Sequence, residues 1–179
     1  MATLAPVTCI GVLLSMAVIA SDLYSRRVPN SAIFVGFALG ASVLVVAWAH
    51  GTGGPPWPAL LGLLIGFASL LPFHIFGWMG AGDVKFFAIL GFLLGAKALI
   101  PIWIIGSLIA GGQAALILLS RHRLVQIMPG WVPTQNWISA SSLGQRMTAA
   151  RQGRRGLPYA AWLGVGAIIT AFNPELMHW

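Results

Sequence analysis

Asp22, Asp83 and Glu175 are the only acids in a chain of 179 residues, and two of them sit in patterned surroundings. Asp83 follows two glycines and precedes a lysine in Gly80-Ala81-Gly82-Asp83-Val84-Lys85. Asp22 is followed by Arg26-Arg27-Val28-Pro29-Asn30. Two carboxylates brought to about 3 Å cannot both ionise, so one keeps a proton while the other acts as a base. Such a pair can activate water and protonate a carbonyl or leaving amine, which hydrolyses a peptide without a metal or a covalent intermediate. Gly80 and Gly82 would allow the close backbone approach that an extended substrate strand needs. Taken singly, each acid has a plainer reading: Asp83 as an N-cap, Asp22 as an interfacial charge beside Arg26. Lys85 reads as a partner for Asp22, as a contact to lipid phosphate, or as a snorkelling side chain.

Other chemistries find little to work with. A single cysteine, Cys9, excludes an intramolecular disulfide and any CxxC site. His50, His74, His122 and His178 lie far apart, without HxxxH spacing, and no acidic cluster exists to chelate calcium or magnesium. The glycines form no GK[ST] phosphate loop. No metal, cofactor or nucleic-acid partner is therefore expected.

The elements that must position the two aspartates are apolar. Hydrophobic residues make up 58% of the chain and charged residues 7%, with a mean hydropathy of +0.88. A soluble domain carries roughly 25% charge, so the composition predicts an all-α integral membrane protein. A spanning helix needs about 20 apolar residues, and spans are expected over 4–21, 31–49, 57–76, 84–96, 98–119 and 157–172. The first is not read as a cleaved signal peptide, because its arginines follow it. His50 to Pro56 should turn, and Pro72 should kink the end of the third helix.

The stretch from Val84 to Ser120 reads either as two helices turning at Gly95-Ala96-Lys97 or as one long span. Charge bias decides for two. Six spans place Arg26, Arg27, Lys85 and the six arginines between 121 and 155 on one side, nine of the ten basic residues. That arrangement puts both termini outside the cytoplasm. The fourth helix, Val84 to Ala96, is then only about 20 Å long at 1.5 Å per residue, short of the roughly 30 Å hydrocarbon core. Its shortness would set Asp83 at a depth where a carboxylate is costly. Asp22 would end the first helix, near a negative dipole end that favours the neutral acid, and Asp83 would begin the fourth, near a positive end that favours the anion. The basic loop 121–156 has no core of its own, so 1–179 is read as a single domain. That loop reads as a topology-fixing segment on anionic lipid or as part of a substrate platform.

At this point the motifs resemble a family. Gly80 to Lys85 looks like the GxGDxK signature of the GxGD aspartyl proteases, in the version typical of type IV prepilin peptidases. Asp22 with Arg26 to Asn30 resembles that family's first motif, an Asp at the end of helix 1 followed by R-[IV]-P-N. Leu157-Pro158-Tyr159-Ala160-Ala161 resembles its PYG-x-A pattern, with Ala160 where glycine is usual. Only Leu23 to Asn30 separate helices 1 and 2, and the paired CxxC motifs of the larger, N-methylating members are missing. The chain therefore resembles the short form associated with Flp-type, tight-adherence pili, and methylation is not favoured. No PAL motif in helix 6 supports the presenilin and signal-peptide-peptidase branch.

The resemblance implies an aspartyl endopeptidase of the bacterial inner membrane, with Asp22 and Asp83 catalytic. Gly80, Gly82 and Lys85 would support the active-site loop. Arg26, Pro29, Asn30, Pro158 and Tyr159 would contact substrate or hold structure, with Asn30 capping helix 2 and Tyr159 lining the site or anchoring at the interface. The implied substrate is a prepilin, cut after a short basic leader at the cytoplasmic face while its hydrophobic helix stays among membrane lipids. The rival readings are a proton-coupled transporter or channel, for which intramembrane acids are also typical, and a non-catalytic subunit of a pilus or secretion assembly. Repeats or a polar path across the bilayer would favour the transporter, and neither is evident in the sequence.

Overall fold

The computed structural model describes residues 4–120, 146, 149 and 157–177, and within 4–120 and 157–177 long apolar runs without strand-like alternation build six α-helices. The order is α1 (Leu4–Ser25), α2 (Asn30–Ala49), α3 (Trp57–Ile75), α4 (Ala81–Leu94), α5 (Leu99–Ser120) and α6 (Tyr159–Phe172). Short 3-10 turns occupy Ala96–Ala98 and Pro174–Met177, and the described residues contain no strand. The basic loop expected over 121–156 falls outside the described residues, apart from Arg146 and Ala149, which are helical.

The all-α membrane architecture follows the sequence reading. α1, α2, α3 and the segment Ala96–Leu119 are each long and apolar enough to cross a bilayer. α4 and α6 are shorter, 14 residues each, or about 21 Å along the axis. The break between α4 and α5 falls where the glycine predicted it. Gly95 adopts φ 89°, a left-handed conformation that costs a glycine little and a side-chain-bearing residue more.

Some boundaries differ from expectation. α1 does not stop before Asp22 but continues to Ser25, since nothing in Asp22-Leu23-Tyr24-Ser25 breaks a helix. The Ser25 hydroxyl donates to the Ser21 carbonyl, and the Arg26 N–H donates to the Asp22 carbonyl at 2.9 Å. The chain leaves the helix only at Arg26, which takes φ 53°. Pro72 lies inside α3, which runs on to Ile75. Asn30 does not cap α2: Pro29 holds the cap position, and no side chain bonds there.

α4 is the centre of the molecule. Val84 and every residue from Phe86 to Leu93 are buried, as expected of a helix apolar on all sides. α1, α2, α3 and α6 pack around it. Apolar side chains gain little by leaving lipid for protein, so close helix packing in a membrane relies on small residues. At the α3–α4 crossing, a Cβ added to Gly62 would collide with the Gly91 carbonyl, and one added to Gly91 with the Gly62 carbonyl. A Cβ added to Gly166 of α6 would likewise press on the Ile102 carbonyl of α5. The Trp162 indole N–H donates to Gln113 Oε1 at 2.8 Å across the same pair of helices. α5 packs on α6 but only lightly on α4, which leaves an opening between α3 and α5.

Candidate active site

The end of α1 and the beginnings of α2, α4 and α6 meet around a cavity of about 610 Å³. Asp22, Arg26, Asn30, Gly80, Asp83, Lys85 and Tyr159 line it, together with Val28 and Leu157. The fold thus brings the two aspartates, 61 positions apart in the chain, to one site. Pro29 and Pro158 stand behind the lining as the residues that start α2 and α6.

Asp22 projects from the last full turn of α1 and is 6% exposed. Its Oδ2 accepts the Ala161 backbone N–H at 3.0 Å. The first turn of α6 has no side-chain cap of its own, so the carboxylate of α1 caps it from across the bundle. Asp83 caps its own helix: its Oδ2 accepts the Gly80 N–H at 3.2 Å, the return half of a capping arrangement. The Ala160 N–H is also directed at Asp83. Adjacent peptide groups of α6 therefore face one carboxylate each, and the two carboxylates lie close enough to act on one another electrostatically. The contrast expected from dipole ends does not survive. Both acids meet helix N-termini, because α6 supplies to Asp22 the positive end that α1 cannot.

Both glycines make close contacts within the fold itself. Gly80 has φ −71°, an ordinary conformation. A Cβ on Gly80 would stand 3.2 Å from Asp83 Oδ2, and one on Gly82 would press within 3.0 Å of Val28 Cβ. Gly82 thus lets the α1–α2 link pack onto the start of α4, which sets Arg26 and Asp83 in the same cavity wall. Lys85 places its Nζ 3.5 Å from Asn30 Oδ1. The Arg26 guanidinium acts electrostatically on Asp22.

Tyr159 is half-buried, and its hydroxyl forms a 2.9 Å hydrogen bond with Ser107 Oγ of α5. It is therefore tied to a neighbouring helix as well as lining the site. Three contributors escape a reading of side-chain types: the N–H groups of Ala160 and Ala161, and Ser107. Backbone donors leave no trace in residue identity, and Ser107 looks like any small polar residue in an apolar helix. Among the described residues, no three His, Cys, Asp or Glu come together as a metal site.

No curated protein and no solved structure matches the chain. A family model described as the type IV leader peptidase family matches residues 9–115, a stretch that holds both aspartates and runs from α1 into α5 but stops short of α6. With more than half its length inside that match, the chain belongs to the type IV leader peptidase family of membrane proteases.

Proposed function

We propose that the protein is an intramembrane aspartyl endopeptidase that removes the short basic leader of prepilin-like precursors at the cytoplasmic membrane face. Asp22 and Asp83 would act as the dyad. The observation that carries this reading is that two carboxylates from different helices line one cavity, each backed by a peptide N–H of α6.

In the proposed reaction one carboxylate removes a proton from water, and the water oxygen attacks the scissile carbonyl carbon. The protonated partner gives its proton to the carbonyl oxygen. In the collapse of the tetrahedral diol the amine leaves with the proton held by the base, and one diol hydroxyl returns its proton to the partner carboxylate, which restores the starting pair and frees the new carboxyl end. Protons on such a pair belong to the pair rather than to either residue, so no fixed acid and base are assigned. Arg26, Arg27 and Lys85 place positive charge around the site, which supports a cytoplasmic location by the positive-inside rule. The short α1–α2 link, Arg26–Pro29, leaves no room for an inserted domain there, in keeping with a short-form enzyme for Flp-type pilins.

The test is leader cleavage on a gel, with Asp22→Ala and Asp83→Ala each co-expressed with a candidate pilin. Both variants should leave the precursor intact. Normal cleavage by either one rejects the dyad.

A further inference from the structure

Asp83 lines a second cavity besides the one it shares with Asp22. This one, of about 590 Å³, begins at Gly80, Asp83, Leu157 and Tyr159 and runs inward to Leu70, Phe73 and Trp103. Those last three residues also line a third cavity, of about 470 Å³, which continues past Ile65 and Ile100 to Ala96 and Lys97. The three are connected through shared walls into one trough. It opens at the carboxylates and follows the gap between α3 and α5, with Phe87 and the Ala96–Ala98 turn beneath it. Its character changes along the way: charged and polar groups surround the first cavity, while aliphatic and aromatic side chains dominate the third.

We infer that the α3–α5 trough seats the hydrophobic segment that follows the cut bond of the precursor. The inference rests on the peptidase reading above and adds to it the surface that holds the substrate. Its basis is continuity. A peptide with its scissile bond at Asp22 and Asp83 must lead its apolar side away from the polar cavity, and this trough is the apolar path that leaves the same wall. From Asp83 to Ala96 is 13 residues of α4 and turn, about 20 Å at helical rise, so the trough takes roughly the first 13 residues of a helix laid beside α4. Ile65, Ile100 and Trp103 keep 50%, 48% and 43% of their surface open along it, which leaves side chains free to interdigitate with a visiting helix. The outer face of α2, where Phe34 and Leu39 are also open, has no such connection to the carboxylates.

Disulfide trapping in native membranes tests this. Cys9→Ser removes the natural thiol, and single cysteines are placed at Ile65, Ile100 and, as the outer-face comparison, Leu39. Each variant is paired with a precursor carrying one cysteine at successive positions after the cut. Crosslinks should form at Ile65 and Ile100, rise and fall every three to four substrate positions, and be absent at Leu39. The groove-filling Ile65→Trp variant should raise KM for the membrane precursor about tenfold while kcat stays within about twofold, the mark of lost uniform binding. Trapping at Leu39 equal to that at Ile65, or an unchanged KM in Ile65→Trp, overturns the inference while cleavage by the parent protein still supports the peptidase reading. A parent protein that cleaves no precursor overturns that reading, and this inference with it.

Discussion

At the scale of single residues, Asp22 carries two duties that substitution can separate. Its carboxylate caps α6 through Ala161, and in the proposed reaction it also exchanges protons. Asn keeps an acceptor for the Ala161 N–H but cannot serve as acid or base. Asp22→Asn should therefore lower the cleavage rate by about 10³-fold or more while its melting temperature stays near that of the parent. Asp22→Ala removes the cap as well, leaves a buried N–H without its acceptor, and should cost a further 1–3 kcal/mol or about that in unfolding free energy. Gel-based cleavage and thermal melts in detergent read the two effects independently. Equal melts for the Asn and Ala variants would remove the capping role.

The meeting of Asp22 and Asp83 in one cavity was legible in the sequence because acids are so few and each sits beside Gly, Pro or Arg residues that mark helix ends. What the residues did not disclose was how each acid is held. Asp22 followed an apolar run and looked like the end of a helix. In the fold it lies inside the last turn of α1 and faces another helix's start. Asn30 looked like a cap and instead reaches towards Lys85. Both differences depend on tertiary neighbours that no local pattern encodes.

Among elements, α4 decides the architecture, and its glycine contacts are its weakest point. Gly91 and Gly62 meet backbone to backbone, so a side chain on either must push α3 and α4 apart. Gly91→Val should cost at least about 3 kcal/mol or prevent folding, whereas Gly112→Ala, at a position with nothing near its missing Cβ, should be neutral or slightly stabilising. Melting of the two variants side by side checks the contrast. The α5–α6 pair offers a finer probe. Tyr159→Phe and Ser107→Ala each break one hydrogen bond and should each cost about 1 kcal/mol. The double variant should cost less than the sum, as a double-mutant cycle would report.

The shortness of α4 and the turn at Gly95 could be read from the apolar run and its glycine, with charge bias choosing between one span and two. The packing order was hidden. Nothing in the mean hydropathy of α4 distinguishes a lipid-facing helix from a central one, since both are apolar all round. The glycines at 62 and 91 acquire meaning only when the two helices cross.

For the whole molecule, the arrangement makes a claim about sidedness. Arg26 lies at the carboxylate end of the bundle, and Lys97 follows the opposite end of α4. In a Cys9→Ser background, a cysteine at Arg26 should react with a membrane-impermeant thiol reagent only from the cytoplasmic side, and one at Lys97 only from the other. Labelling of both from one side would refute the six-span topology. At this level the all-α membrane architecture was legible in the sequence, because the bilayer leaves few alternatives to a helix bundle; the sidedness is an expectation from charge bias that the labelling tests.

The cap that Asp22 lends to α6 also sets an order of events during synthesis. A ribosome makes Asp22 and Asp83 well before it makes Ala160 and Ala161. Until α6 arrives, the Asp22 carboxylate lacks the peptide group that holds it, and Tyr159 has yet to complete the cavity wall. A chain halted after α5 would own both acids but neither the Ala161 partner of Asp22 nor the Tyr159 wall, so under the proposed function competence to cut waits on α6.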